Sequence, residues 1–252
     1  MTARVGGEVA AVELRGVTKS FGLLRVLDNV SLVVPAGRAV CILGRSGTGK
    51  SVTLKHIVGL IRPDAGQVLV NGEDISGLSG RNLARVRRGI GFLFQTAALF
   101  DSISVGENVA FPLRRHTDLA DVAIRSRVQQ LLADVGLGGE YDKMPADLSG
   151  GMRKRAGLAR ALALDPALLL ADEPSAGLDP VTSGEIDALL VTLKQSGRTL
   201  LVVTHNIPSA RAIGDELVFL HEGTVLAHGS PQSLEQSEHP LVGEFMRSES
   251  SG

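Results

Sequence analysis

The eight residues GRSGTGKS at positions 44–51 constrain this chain more than any other stretch. They match G-x-x-x-x-G-K-S, a pattern that has meaning only between a buried strand and a helix. Both neighbours are present. RAVCILG, before it, is a short continuous apolar run of the kind found in fully buried strands, and KSVTLKHIVGL, after it, switches to helical spacing. Glycines let successive backbone N–H groups turn inward around phosphate oxygens, and the helix start adds its positive dipole end. Gly44, Arg45, Ser46, Gly47, Thr48, Gly49, Lys50, Ser51 and Val52 are therefore expected to cradle the phosphates of a nucleotide. Lys50 is expected on the β- and γ-phosphates of ATP, and the Ser51 hydroxyl on Mg2+.

A phosphate loop needs partners from neighbouring strands. The run LLLADEP carries Asp172 to the edge of a sheet, where a carboxylate holds Mg2+ through its water shell. Glu173 follows, placed to orient and deprotonate a water. The next buried strand, TLLVVTH, ends in His205, which faces the same crevice and is expected to contact the γ-phosphate. Gln95 ends the apolar run RRGIGFLFQ and is expected to touch Mg2+ or the attacking water. Phe21, in the glycine-flanked KSFG, stacks on adenine or fills the core.

The remaining pattern fixes the fold class. VELRGVTKSFG and VLDNVSLVVPAG read as antiparallel strands, and GQVLVNGEDI as a strand with an Asn-Gly turn. Strands alternating with helices predict an α/β parallel-sheet core with helices on both faces, which together with the phosphate loop resembles the P-loop NTPase (RecA-like) fold. An N-terminal antiparallel β subdomain precedes it, and a helical insert spans about 97–163. One domain over 12–247 is expected, with flexible ends at 1–11 and 248–252. Aromatic residues are only 3% and Trp is absent, so the core must be aliphatic, as suits such a sheet. A formal net charge of −1 gives no basic field, so nucleic acid is not an expected partner. The single cysteine, Cys41, lies in an apolar run and reads as a buried strand residue. No run approaches the length needed to cross a bilayer, and no signal-peptide pattern opens the sequence.

A second phosphate-reading element lies about a hundred residues downstream. In DLSGGMRKR, Ser149, Gly150 and Gly151 open a helix, so its N–H groups and the Ser149 hydroxyl suit an anion. The chain's own loop already holds its own nucleotide. A homodimer resolves this: each chain's Ser149 turn lids the γ-phosphate in the other chain's loop. The basic residues Arg153, Lys154 and Arg155 cannot all face one ligand on a helix, and are expected to form a solvated face with one residue near the opposed nucleotide.

In this order, the phosphate loop, Gln95, the LSGGM run, LLLADEP, SAGLD and His205 resemble an ABC-transporter ATPase subunit over about residues 12–230. The resemblance implies that Phe21 is the adenine-stacking aromatic, that Gln95 couples the site to the insert, and that His205 is the switch histidine. It also implies that Asp179 aligns the opposed sites across the dimer. Met152 stands where the family usually has Gln, and is expected to change packing rather than remove activity. LSGGM with RKRAGLARAL, LFQTAALFDSISVGENVAFPLRRHT and THNI is similar to the ATPases of the Mce and Mla lipid-transport systems. That likeness implies a peripheral homodimer on the cytoplasmic face of the inner membrane. It further implies an integral-membrane permease pair, an MCE-domain lipid-binding protein and, in some systems, a small STAS-type protein. The short stretch after Phe245 weakens the expectation of a C-terminal clasp and of the STAS-type partner. An importer motor for a polar solute and a soluble single-cassette ABC protein are the competing readings.

Overall fold

The computed structural model describes residues 4, 5 and 8–248. The chain starts with β1 (Arg4–Val5) and the long antiparallel pair β2 (Glu8–Phe21) and β3 (Leu24–Pro35). β4 (Ala39–Leu43) then leads through the phosphate loop into α1 (Lys50–Ile57). β5 (Ala65–Val70) and β6 (Glu73–Asp74) turn back through Asn71 and Gly72, and α2 (Gly80–Arg88) leads to β7 (Ile90–Leu93). Three helices follow: α3 (Val105–His116), α4 (Asp121–Asp134) and α5 (Gly150–Ala161). β8 (Leu168–Asp172), α6 (Pro180–Gln195), β9 (Thr199–Thr204) and α7 (Ile207–Ile213) return to the alternating pattern. The hairpin β10 (Glu216–His221) and β11 (Thr224–Gly229), then α8 (Pro231–Glu235) and α9 (Pro240–Arg247), complete the order.

The continuous apolar runs become the inner strands of one sheet, because only strands covered on both faces need no polar side. Its order is β11-β10-β4-β9-β8-β7, with β10 through β7 parallel and β11 antiparallel at the edge. Alternate residues of β4 serve two separate cores. Ala39, Cys41 and Leu43 face a helical core with Val105, Val109, Leu158 and Ile186. Val40 and Ile42 face a second core with Leu54 and Ile57 of α1 and Val12, Leu14 and Val30 of the antiparallel sheet. Helices therefore lie on both faces, as expected, but on the second face α1 shares the cover with a β layer. Cys41 is fully buried, and burial pushes its thiol up to about 12.

The N-terminal boundary also needs correction. Residues 8–11, expected to be flexible, belong to β2, where Ala10 and Ala11 are buried and Val12 pairs with both Val34 and Val70. Residues 1–3, 6–7 and 249–252 lie outside the described residues. The expected strand into Gln95 stops at Leu93, where its pairing with β8 ends. Three helices, α2, α7 and α8, were not expected.

The loop from β7 to α3 is organised by a side chain that motif reading passes over. Asn108 is fully buried. Its amide donates to the carbonyls of Phe100, Ile103 and Ser104 at 3.0, 3.2 and 3.0 Å, and its Oδ1 accepts from Phe100 N at 2.7 Å. Asn108→Ala removes these side-chain bonds, although Ser104 O keeps the backbone N–H of residue 108, and is expected to cost about 2–3 kcal/mol of stability, read as a lower denaturant midpoint.

Candidate functional site

The phosphate loop hangs between the end of β4 and the start of α1, and its glycines are there for space as much as for flexibility. A side chain at Gly49, at φ +101°, would lie 2.6 Å from Leu27 Cδ2 and 2.8 Å from Val26 O. As the residue before α1, Gly49 offers no side chain to cap the helix, so the first-turn N–H groups face the loop. Lys50 is buried and folds onto the loop, donating from Nζ to Gly44 O at 2.7 Å and Arg45 O at 3.0 Å. The same ammonium lies 3.7 Å from Glu173 Oε1. Burial pushes the Lys50 ammonium below the usual lysine range, opposed by the two carboxylates beside it.

β8 delivers the acidic pair to this loop. The Ser51 hydroxyl donates to Asp172 Oδ1 at 2.7 Å. Burial raises the Asp172 carboxyl above its ordinary range, and the Ser51 hydrogen bond opposes that rise. Glu173 leaves the strand through the left-handed region, at φ +47°. Its N–H donates to Val203 O at 2.9 Å, which continues the β8–β9 pairing one residue beyond the strand. Its Oε2 accepts from His205 N at 3.4 Å and lies 3.0 Å from His205 Nδ1. His205 follows β9 directly, with its ring half exposed.

Ser46, Gly47, Gly49, Lys50, Ser51, Val52, Gln95 and Glu173 line one cavity of about 250 Å3, with Val26 of β3 as an apolar wall. That is smaller than the roughly 300–1,000 Å3 of pockets that enclose a whole small molecule. Phosphates fit; a base and ribose must lie outside. Phe21 does not line the cavity. It stands half exposed at the end of β2, which removes the core reading, with Lys19 Nζ 5.5 Å from its ring centre. The Ser51 hydroxyl, bonded to the Asp172 carboxylate, lines this cavity together with Gln95, which adds an amide oxygen. This sparse oxygen set fits a Mg2+ ion that takes its other ligands from phosphates and water.

The Ser149 turn does open a helix, α5, but is not part of this cavity. Ser149 caps α5 by accepting from Met152 N at 3.2 Å. Gly151 is pressed so closely on α6 that a side chain there would lie 2.2 Å from Thr182 Cγ2. Thr182 in turn donates its hydroxyl to Asp179 at 2.6 Å. Asp179 caps α6 through Val181 N and Thr182 N, and the Thr182 hydroxyl first, then these backbone bonds, hold its carboxyl below the usual range. Ser149, Gly150, Gly151 and Asp179 thus form a cluster of their own, outside the Lys50 cavity. Met152 packs against the helical core.

The basic triplet departs from expectation. Arg153 is exposed and donates to Leu148 O at 2.6 Å. Lys154 does not join a solvated face: it is buried, and its Nζ donates to Glu173 O at 3.0 Å. Arg155 is partly covered, 4.0 Å from Glu185. Arg160, further along the same helix, donates to the carbonyls of Ala97 and Ala98 at 2.6 Å each and pins the segment after Gln95.

Residues 27–176 match the family described as ABC transporter. The chain is 46% identical over 237 residues to the probable ribonucleotide transport ATP-binding protein mkl of Mycobacterium tuberculosis H37Rv, covering 94% of this chain. It spans 66% of the length of that relative. It is 42% identical over 236 residues to the intermembrane phospholipid transport system ATP-binding protein MlaF of Escherichia coli K12, covering 93% of this chain and 88% of that protein. A solved dimeric ATP-binding cassette in a post-hydrolysis state with ADP and Pi superposes with a TM-score of 0.82 at 34% identity, covering 87% of this chain and 98% of the other.

Proposed function

The chain belongs to the ABC transporter family, and we propose from that premise that it is the ATP-hydrolysing subunit of a lipid transporter, working as a homodimer. One observation carries the proposal. Lys50, Ser51, Gln95 and Glu173 line a cavity with room for phosphates, while the Ser149 turn is fully formed and lines none of it. Each chain holds both halves of a site and joins neither to the other. A second copy, turned about a two-fold axis, supplies the missing lid to each nucleotide.

The chemistry follows from the residues. Lys50 exchanges its carbonyl partners for β- and γ-phosphate oxygens. Ser51, Gln95 and Asp172 would hold Mg2+, which would supply positive charge to offset that of the phosphates. Glu173 takes the proton of the attacking water. His205 steadies the Glu173 carboxylate and reaches the γ-phosphate, Phe21 stacks on adenine, and Asp179 aligns the facing halves.

Partner and cargo rest on likeness. MlaF is named for intermembrane phospholipid transport, which supports a phospholipid or related lipid as cargo. The name of the mycobacterial relative favours a second reading, a motor for ribonucleotides or another polar solute. Among the described residues no helix is long and apolar enough to cross a membrane. A groove of about 360 Å3 lined by Phe92, Phe94, Phe100 and Phe111 offers an exposed apolar patch to a partner protein. We place the dimer on the cytoplasmic face of the inner membrane, against a permease pair that feeds an MCE-domain protein.

Two experiments test this. Ser149→Ala is expected to keep ATP affinity of the isolated chain within about threefold while slowing hydrolysis at least about tenfold; loss of binding to the isolated chain would refute a lid given in trans. Gentle purification from native membranes, with mass spectrometry, tests the cargo. Co-purifying permease, MCE-domain protein and lipid support the lipid motor, and a small STAS-type protein there adds a fourth component. A permease with a solute-binding protein, or no membrane partner, overturns it.

A further inference from the structure

The residue that most resists a packing explanation is Lys154. It lies on α5 among the buried positions Gly151, Ala156, Gly157, Leu158 and Ala159, where an apolar side chain would seal the helix at no electrostatic cost. Burying an ammonium there is unfavourable unless it is paired and hydrogen-bonded. Its charge is opposed by the nearby carboxylates of Asp172 and Glu173, which Lys50, also buried, helps to neutralise.

The contact itself is to backbone. Lys154 Nζ donates to the carbonyl of Glu173 at 3.0 Å, the one anchor on this residue that comes from α5. Ala176 N donates to the same oxygen at 3.2 Å, within the turn that follows. Glu173 needs such anchors, because φ +47° is a backbone conformation that residues other than glycine rarely adopt. A peptide held there turns the side chain away from the path the strand would give it. The carboxylate then meets His205 and Lys50, on the loop side of the sheet.

We propose that Lys154 is a positioning residue for hydrolysis: by holding the Glu173 carbonyl it fixes the left-handed turn that aims the carboxylate, and it ties that turn to α5. Ser149 caps the first turn of α5, five residues before Lys154. A shift of this helix as Ser149 closes over the partner's nucleotide is thereby passed to the chain's own Glu173. The proposal rests on the reading of Glu173 as general base and of the Ser149 turn as a lid in trans.

The test uses the full chain, with steady-state hydrolysis and equilibrium binding of a fluorescent ATP analogue measured side by side. Lys154→Met, of similar length and without a donor, is expected to lower kcat about 10- to 100-fold, the effect of a small misplacement of a reacting group. KM and nucleotide affinity stay within about threefold. Lys154→Arg, which keeps a cationic donor, recovers most of the lost kcat. If the Met variant does not fold, Lys154→Gln carries the same test, since its side chain is one atom too short to reach the carbonyl. An unchanged kcat in the Met variant, a loss of affinity matching the loss of kcat, or an Arg variant as slow as Met would overturn the proposal. Glu173→Gln separates the two layers. If it retains turnover, the general-base reading fails. If it loses turnover while Lys154→Met does not, only the positioning role fails.

Discussion

Glu173→Gln is expected to bind ATP about as well as the unaltered chain and to turn it over roughly 10²–10⁴-fold more slowly. The substitution keeps the volume and one carbonyl oxygen, so the contacts of a buried side chain beside Lys50 and His205 are largely preserved. What it removes is the acceptor for the proton of water. Binding energy should therefore be retained and only the chemical step lost. If nucleotide holds two chains together, an ATP-bound dimer should accumulate and be visible by size-exclusion chromatography. Wild-type turnover in this variant would end the assignment of Glu173 as base.

Lys50→Ala has the second large effect, on binding rather than turnover. Lys50 donates to two loop carbonyls and stands between the phosphate loop and Glu173. Removing it takes away a charge-assisted bond to phosphate, about 1.5–3 kcal/mol. It also leaves Asp172 and Glu173 to face an incoming anion with one cation fewer. A drop of at least about 100-fold in ATP affinity is expected, measured by equilibrium titration. Affinity within about threefold of wild type would show that Lys50 does not reach the phosphates.

The parts of the site that were legible in the sequence are those written in local runs. Residues 44–51 lie between an apolar run and a helical period, and Asp172 and His205 each close an apolar run of their own. In each case a few consecutive residues specify both the element and its functional end, and β4, β8 and β9 follow as expected. Lys154 was not legible for the opposite reason. A triplet of basic residues on a helix carries no local mark of which one turns inward; that depends on a carbonyl 19 residues away. Asn108 did leave a signal. It sits at helical spacing with Val105, Val109 and Leu113, a polar residue in an apolar stripe, and such a residue must find its partners inside. α2 escaped because four arginines among its nine residues make it polar on the whole and it buries only Leu83, so its amphipathic stripe is narrow and easily read as a charged loop.

Cys41 has a practical consequence for anyone who wants to watch this molecule at work. It is the only sulfhydryl in the chain, enclosed in β4, and its thiol is pushed up to about 12. A maleimide dye meets almost no thiolate there and has no path to it while the fold is intact. The native background is therefore silent, and a cysteine engineered at an exposed surface position becomes a unique attachment point for a fluorophore or spin label. The distance between two such probes, one on each copy, then tests whether two copies close on nucleotide and open again, without first stripping the chain of its own cysteine.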